Sequence, residues 1–292
     1  MKGILSLDLG GTNLRAGLVD AASPGRPELL DQWPAPANFD AFCDRVGGLI
    51  AKCEVSRIGI AVPGLVAGTG CIWIPNLPYL DGIDLADLFA GAEVALGNDA
   101  QMALLAEAAL GAARGRADVI LLAIGTGIGS AVLSDGRILR GPLGSATSFG
   151  WAAADLDDPG DPVHGWLERM ASGRALDAIA WTAGLTNGAE LVNRAREGNA
   201  EAYQLLQQPA AALGTALAGA VAMLGSSTII VSGGVAQSLD VLAPLILDAL
   251  RRHLPPHLRG VDIIAGTFGP GASLIGAGLA ALGNPLWKET SS

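Results

Sequence analysis

No Cys-X-X-Cys pair occurs in this chain of 292 residues, whose cysteines number three: Cys43, Cys53 and Cys71. An odd, scattered set excludes a disulfide framework and offers no metal-binding spacing, as expected for a reducing compartment. Histidine is equally scarce, and His164, His253 and His257 show no catalytic spacing. The last two fall in a polar, proline-containing loop and read as solvated. Positive charge is short as well, with 18 Lys and Arg against 28 Asp and Glu, a net charge of −10. A basic face for nucleic acid or for an anionic membrane is therefore not expected. The N-terminus enters a strand pattern at Ile4 without a basic segment, apolar core and cleavage site, so no signal peptide is read and a cytoplasmic location is expected. The most membrane-like stretch, Ala210 to Leu224, is shorter than a span, rich in Ala and Gly and preceded by Pro209. It reads as a buried helix.

What the chain does have is core-forming material: half of its residues are hydrophobic and 16% are charged. Its length exceeds the usual single core, so two domains with a cleft are expected, and the acidic balance favours a small-molecule ligand. The organising stretch is Ile4 to Asp20, ILSLDLGGTNLRAGLVD. An apolar run reaches Asp8, Gly10 and Gly11 break it, and a second run resumes from Leu14 to Val19, giving strand, tight turn, strand. Adjacent glycines lack the Cβ atoms that keep a ligand off the backbone, so the N–H groups of such a turn can face an anion, with Thr12 and Asn13 adding side-chain donors. Asp8 is placed to hold a Mg²⁺ ion accompanying phosphate. By itself the turn is equally compatible with an ordinary hairpin.

The remainder supplies the discrimination. Residues 21 to 36 read as a loop or hairpin tip, and Phe39 to Cys53 as a helix. Arg57 to Val62 is a short strand entering Pro63-Gly64, and Asn76 is held between prolines in Pro75-Asn76-Leu77-Pro78. Val94 to Leu96 is a strand ending in Gly97-Asn98-Asp99 before an Ala/Leu helix. Asp99 there suits the N-cap, and equally a general base. Val119 onward, VILLAIGTGIGSAVLSDG, repeats the opening design, with Gly125, Thr126 and Gly127 in its turn. Two copies of one unit suggest two related domains, each offering a glycine turn. Gly141 to Trp166 is loop-like, and helical patterns cover Leu167 to Trp181, Gly188 to Arg196 and Ala200 to Leu224. The strand Thr228 to Val231 ends at a third glycine pair, Gly233-Gly234, where α/β folds bind ligands. Helix Val241 to His253, strand Val261 to Ile264 and a small-residue helix from Ala272 close the chain.

In this order, DLGGTN (8 to 13), VPG (62 to 64), PNLP (75 to 78), GND (97 to 99), AIGTGIG (123 to 129) and SGG (232 to 234) resemble the ROK family of sugar kinases and repressors. The resemblance spans essentially the whole chain. It implies an α/β fold of two actin-like (ribonuclease H-like) domains with an interdomain cleft: 1–113, joined by a C-terminal helix at about 275–292, for substrate and phosphate, and 114–274 for ATP. With the first strand starting at Ile4, the DNA-binding helices of the repressors are not expected, and an ATP-dependent carbohydrate kinase acting in a homodimer is implied. Carried over residue by residue, Asp99 is the base that deprotonates a sugar hydroxyl, usually the primary one. Gly64, Asn76, Asn98 and Asp99 bind the sugar; Gly10, Gly11, Thr12, Asn13, Gly125, Thr126 and Gly127 grip the ATP phosphates; Gly233 and Gly234 lie against adenosine; Asp8 acts on Mg²⁺ through water.

The chain departs from the family at one loop. Family members commonly carry Glu-X-Gly-His, whose His also binds zinc, but GPLGSATSFGW puts Ser148 at the Glu and Trp151 at the His. Three cysteines of the family's zinc motif correspond to Pro159, Asp161 and Trp166, so no structural zinc is expected. Glu168 matches the family's sugar-contacting Glu, and Ser148 is the other substrate candidate of this loop. The two tryptophans are expected to replace zinc by apolar packing, the alternative for Trp151 being to stack on substrate. The lost carboxylate argues for an acceptor other than plain glucose: another hexose, an amino or deoxy sugar, or a cyclitol. Competing readings are a non-catalytic sugar or nucleotide sensor, supported by the altered loop alone, and an actin-like ATPase, which has no need of Asn76, Asn98 and Glu168 together.

Overall fold

The computed structural model describes residues 3–287. Two compact units divide the chain: Met1–Gly115 with Gly136–Thr147 and Gly271–Ser292, and Arg116–Asp135 with Ser148–Pro270. The strands are β1 (Ile4–Leu9), β2 (Asn13–Val19), β3 (Glu28–Pro34), β4 (Arg57–Val62), β5 (Leu65–Ala67), β6 (Gly70–Trp73), β7 (Glu93–Asn98), β8 (Val119–Ile124), β9 (Ile128–Ser134), β10 (Arg137–Ile138), β11 (Thr228–Ser232) and β12 (Asp262–Ala265). The helices are α1 (Phe39–Cys53), α2 (Leu85–Leu88), α3 (Asp99–Leu110), α4 (Trp166–Ala171), α5 (Gly173–Thr182), α6 (Gly188–Arg196), α7 (Ala200–Leu224), α8 (Leu239–Arg252) and α9 (Ala272–Ala281).

In the first unit the sheet runs β3-β2-β1-β4-β7. An antiparallel hairpin, β1 with β2, continues into parallel pairing of β1 with β4 and β4 with β7. The second unit repeats this plan, with strands in the order β9-β8-β11-β12. Here β8 pairs antiparallel with β9 and parallel with β11, which pairs parallel with β12. The parallel strands are buried on both faces, so they read as continuous apolar runs such as Val119 to Ile124. Leu5, Leu7, Ile58, Ile60 and Phe42 anchor the first core. Ile120, Leu122, Leu213, Leu217 and Ile229 anchor the second.

The C-terminal helix α9 belongs to the first unit because its glycines let backbones meet. A Cβ on Gly276 would stand 1.8 Å from the carbonyl oxygen of Met102 in α3, and one on Gly59 of β4 would stand 1.8 Å from that of Ala277. The Ser6 hydroxyl donates to the carbonyl of Leu274, tying α9 to β1. The end of the expected C-terminal helix, 288–292, lies outside the described residues. Among those described, α7 alone is long and apolar enough to cross a membrane. Its Leu206, Leu213, Leu217 and Val221 are buried in the second core.

Two expectations need correction and one is sharpened. Residues 28 to 34, read as loop, form edge strand β3, whose alternation is masked by exposure on both faces. Asp99 lies next to the N-cap of α3, as expected: the cap itself is Asn98, whose Oδ1 accepts from the N–H groups of Ala100 and Gln101, and Asp99 is the first helical residue. Gly136–Thr147, expected in the 114–274 domain, groups with the first unit. A Cβ on Gly144 would meet the Val66 carbonyl oxygen at 2.0 Å, and the buried Gln101 donates from Nε2 to the Ala146 carbonyl.

Candidate active site

In the first unit, β1, β4 and β7 lie side by side and end together, which gathers Asp8, Gly10–Asn13, Gly64, Asn98 and Asp99 at one edge of the sheet. The turn after β1 is closed by the Gly10 N–H donating to the Asn13 carbonyl at 2.8 Å. Asn76 packs on this turn, its Cβ only 2.7 Å from where a Cβ on Gly11 would be. The segment bearing Asn76 is held by the carboxylate of Asp81, which accepts the Ile74 N–H at 2.6 Å. Gly64 is held open by geometry: its φ is +135°, and a Cβ would stand 2.3 Å from the Trp73 carbonyl oxygen. Its own carbonyl accepts from Nδ2 of Asn98 at 3.1 Å. Asn98 thus spends its oxygen on the helix cap and one N–H on Gly64, leaving one N–H for a ligand.

Asp99 follows at the helix start. Burial raises its carboxyl to about 6, against the lowering effect of the N–H groups of Ala100 and of Asp99 itself. Asp8 is raised further, to about 7, first by burial and then by the charge of Asp99, with Arg15 opposing. The Arg15 guanidinium lies 3.9 Å from the Asp8 carboxylate. A carboxylate whose ionisation is disfavoured by burial and by the charge of a second carboxylate makes the pair cation-seeking. That pairing is the observation on which a Mg²⁺ ion fits, since this ion uses one or two carboxylates and fills its remaining positions with water and phosphate. Among the described residues, no group of three or more His, Cys, Asp or Glu is arranged to hold a metal by itself.

In the second unit the turn after β8 is closed by the Gly125 N–H on the Gly127 carbonyl at 3.0 Å. The Gly125 carbonyl accepts from the Gly173 N–H at 2.7 Å, joining the turn to the start of α5. Gly233, with φ +81°, lies against the Ile124 carbonyl, where a Cβ would be 2.5 Å away. The structure therefore brings together the glycine turn at 125–127 and the pair Gly233-Gly234. Glu168 reaches the same turn from α4: its Oε2 accepts the Ile128 N–H at 3.0 Å. With the amides of Gly125 and Ile128 spent, Thr126 and Gly127 are the turn's remaining backbone donors.

Ser148 is exposed and precedes a 3-10 turn at Phe149–Trp151, whose first N–H donates to Ser130 Oγ. Trp166 is buried in the core as expected, but Trp151 is 52% exposed. The packing role expected of Trp151 fails, because Gly150 and Gly165 bring backbone against backbone there and leave the indole outside.

Sequence reasoning passed over three groups. His164 Nδ1 lies 3.2 Å from Glu168 Oε1, and Arg174 Nη1 lies 3.0 Å from His164 Nε2. Gln101, two residues after Asp99, is fully buried and donates to the Ala146 carbonyl. The four-residue spacing of His164 and Glu168 was the available signal, obscured because α4 begins only at Trp166.

Two α/β units of one plan, each turning its first hairpin through glycine, define a protein of two actin-like domains. The chain belongs to the ROK family, which its residues 4–283 match. It is 30% identical over 298 residues to the N-acetylmannosamine kinase of Shigella flexneri, with 97% of this chain and 99% of that protein aligned. It is 34% identical over 298 residues to the bifunctional enzyme NanE/NanK of Brucella melitensis biotype 1. That match takes in 95% of this chain and 54% of the relative, so the chain spans about half of that protein's length. The ROK family glucokinase from Streptomyces griseus, solved in complex with glucose and AMPPNP, is similar in structure with a TM-score of 0.79 at 26% identity. The similarity covers 97% of this chain and 100% of that one.

Proposed function

We propose that this chain transfers the γ-phosphoryl group of ATP to the primary hydroxyl of an acylated amino sugar of the N-acetylmannosamine type, with Asp99 as general base. The chain is an ATP-dependent carbohydrate kinase. The acceptor class is supported by the full-length relative named N-acetylmannosamine kinase, and Ser148, where family members commonly carry a glutamate, argues for an acceptor other than plain glucose. The observation that carries the mechanism is Asp99 itself, a carboxylate raised to about 6 at the start of α3, whose neighbour Asn98 is pinned to Gly64.

A base with that affinity for protons is ionised at neutral pH yet basic enough to accept one in the transition state. As the sugar oxygen bonds to the γ-phosphorus, its proton passes to Asp99, and the bond from phosphorus to the bridging oxygen breaks to leave ADP. The transition state is loose, so positioning and charge neutralisation carry most of the rate. Gly64, Asn76 and Asn98 are the sugar-binding groups of the first unit, and Ser148 and Glu168 those of the second. The phosphate donors are the backbone amides of Gly11–Asn13 in the first unit and those of Thr126 and Gly127 in the second, where Gly233 and Gly234 admit the adenosine. A Mg²⁺ ion held near Asp8 through water would supply charge neutralisation at the phosphates. The same family resemblance supports a homodimer.

The test is ADP release across a panel of sugars and cyclitols, with Asp99→Asn as the control. Turnover on N-acetylmannosamine should exceed that on glucose, and the variant should lose roughly 10²- to 10⁴-fold in kcat. Sugar binding with no turnover on any acceptor would establish a sensor instead, and glucose turnover of glucokinase efficiency would overturn the acceptor class.

A further inference from the structure

We propose that His164 and Arg174 are specificity-determining residues that, with Glu168, read the acylamino substituent of the acceptor; this rests on the kinase reading above. Glu168 has one oxygen committed, Oε2 to the Ile128 N–H at 3.0 Å. The other, Oε1, lies 3.2 Å from His164 Nδ1 and 3.5 Å from Arg174 Nη2. Arg174 Nη1 is 3.0 Å from His164 Nε2. A guanidinium has no lone pair to offer, so Arg174 donates, His164 Nε2 accepts, and Nδ1 carries the hydrogen that faces Glu168. The imidazole is thereby fixed in one tautomer between a carboxylate and a cation.

This trio is open to solvent, with side-chain exposures of 22% for Glu168, 38% for His164 and 48% for Arg174. Its chemistry is an acceptor oxygen flanked by N–H donors, and Arg174 keeps N–H groups beyond the two it uses here. An acylamino group presents the complement: an N–H for Oε1 and a carbonyl oxygen for the guanidinium, in one rigid plane. A hydroxyl in the same place is satisfied by either partner alone, so only the acyl group needs both.

Two further features single out these positions. Arg174 stands in the first turn of α5, where the helix dipole opposes a cation and an acidic residue would be the stabilising choice. And the chain before α4 is built to present His164: Asp161 Oδ1 accepts the N–H groups of Val163 and His164, each at 2.7 Å. Arg169 donates from Nε to the His164 carbonyl and from Nη2 to both oxygens of Asp158. Gly165 packs against the Trp151 backbone, where a Cβ would be 2.4 Å from the Trp151 Cα. The backbone of Trp151 is therefore anchored beside the residue next to His164, and its side chain is 52% exposed.

The test uses the full chain and compares N-acetylmannosamine with mannose, which lacks the acyl group. His164→Ala and Arg174→Ala should each raise KM for N-acetylmannosamine roughly tenfold or more, leaving kcat, the mannose constants and the ATP KM within about threefold. His164→Asn, which retains an N–H donor toward Glu168, should recover part of the loss, a rescue that a purely structural role does not give. An unchanged preference between the two sugars in both alanine variants, or equal losses on both, overturns the inference. If His164→Ala does not fold, the half-exposed Arg174→Ala decides alone. Wild-type protein that treats the two sugars equally overturns this inference but not the kinase reading. Absence of turnover on every sugar overturns the kinase reading, and calorimetric binding of N-acetylmannosamine then decides this one: equal affinity in wild type and Arg174→Ala overturns it.

Discussion

The carboxylate of Glu168 occupies the space that a Cβ on Gly127 would fill, with Oε2 standing 2.4 Å from that point. The first unit repeats the relationship with different chemistry, Asn76 lying 2.7 Å from the corresponding point on Gly11. In each turn the other glycine is open: Gly10 would meet nothing nearer than the Asn13 carbonyl at 3.6 Å, and Gly125 nothing within 4 Å. One glycine of each pair therefore seats an acceptor-binding candidate, and the other keeps the backbone clear.

The two kinds of glycine should fail differently. Gly127→Ala must push Glu168 off the Ile128 N–H, stranding a partly buried donor at a cost of about 1–3 kcal/mol. Its melting temperature should fall and its sugar KM rise. Gly125→Ala meets no neighbour, so stability should hold within about 0.5 kcal/mol while KM for ATP rises. Thermal melts and steady-state kinetics on the pair check this. Equal melting temperatures for Gly127→Ala and wild type would refute the seat.

How much of this was legible in the sequence follows from what is local. The turns at Gly10 and Gly125 declare themselves through strand, glycine, strand, and α1 and α7 have the bounds that their apolar spacing and their capping residues Asn38 and Asn199 dictate. Strand β3 did not, because an edge strand with Leu29 70% exposed lacks the alternation that marks one. The second use of Gly127, as the seat of Glu168, was not legible for a related reason. A glycine shows that space is needed, and only the fold shows that Glu168, 41 residues on, fills it. The role of His164 was obscured for the same cause, since the loop before α4, shaped by Asp158, Asp161 and Arg169, is what presents it to Glu168 and Arg174.

The coupled carboxylates predict two opposite pH effects. As the proposed general base Asp99 must act ionised, so kcat/KM should fall about tenfold per unit below pH 6. For Asp8, raised from 3.8 to about 7 by burial and by Asp99 against Arg15, the folded state prefers the protonated form. Its contribution to stability is therefore fully present below the ordinary carboxylate value and lost as pH rises through about 7. Asp8→Asn should melt above wild type at pH 8 without nucleotide or metal, an advantage that vanishes toward pH 4, and should abolish the stabilisation of wild type by Mg²⁺ with ATP. A lower melting temperature for the variant at pH 8 would count against the pairing.

The loop before α4 should depend on an ion pair and not on a metal. Arg169 holds Asp158 through both carboxylate oxygens, at 2.8 and 3.0 Å, and holds the His164 carbonyl through Nε at 3.3 Å. The same guanidinium keeps the Asp158 carboxyl below its usual range. Because Arg169 fixes the residue on which Glu168 leans, Arg169→Ala should raise the sugar KM severalfold, leave the ATP KM unchanged, and speed proteolysis between residues 155 and 165. Exhaustive dialysis against a chelator, followed by return of Mg²⁺, should restore full activity, the outcome expected of a loop held by the ion pair in place of zinc. Persistent inactivation reversed only by zinc, or stoichiometric zinc in the purified protein, would show that a metal does what the ion pair is assigned here.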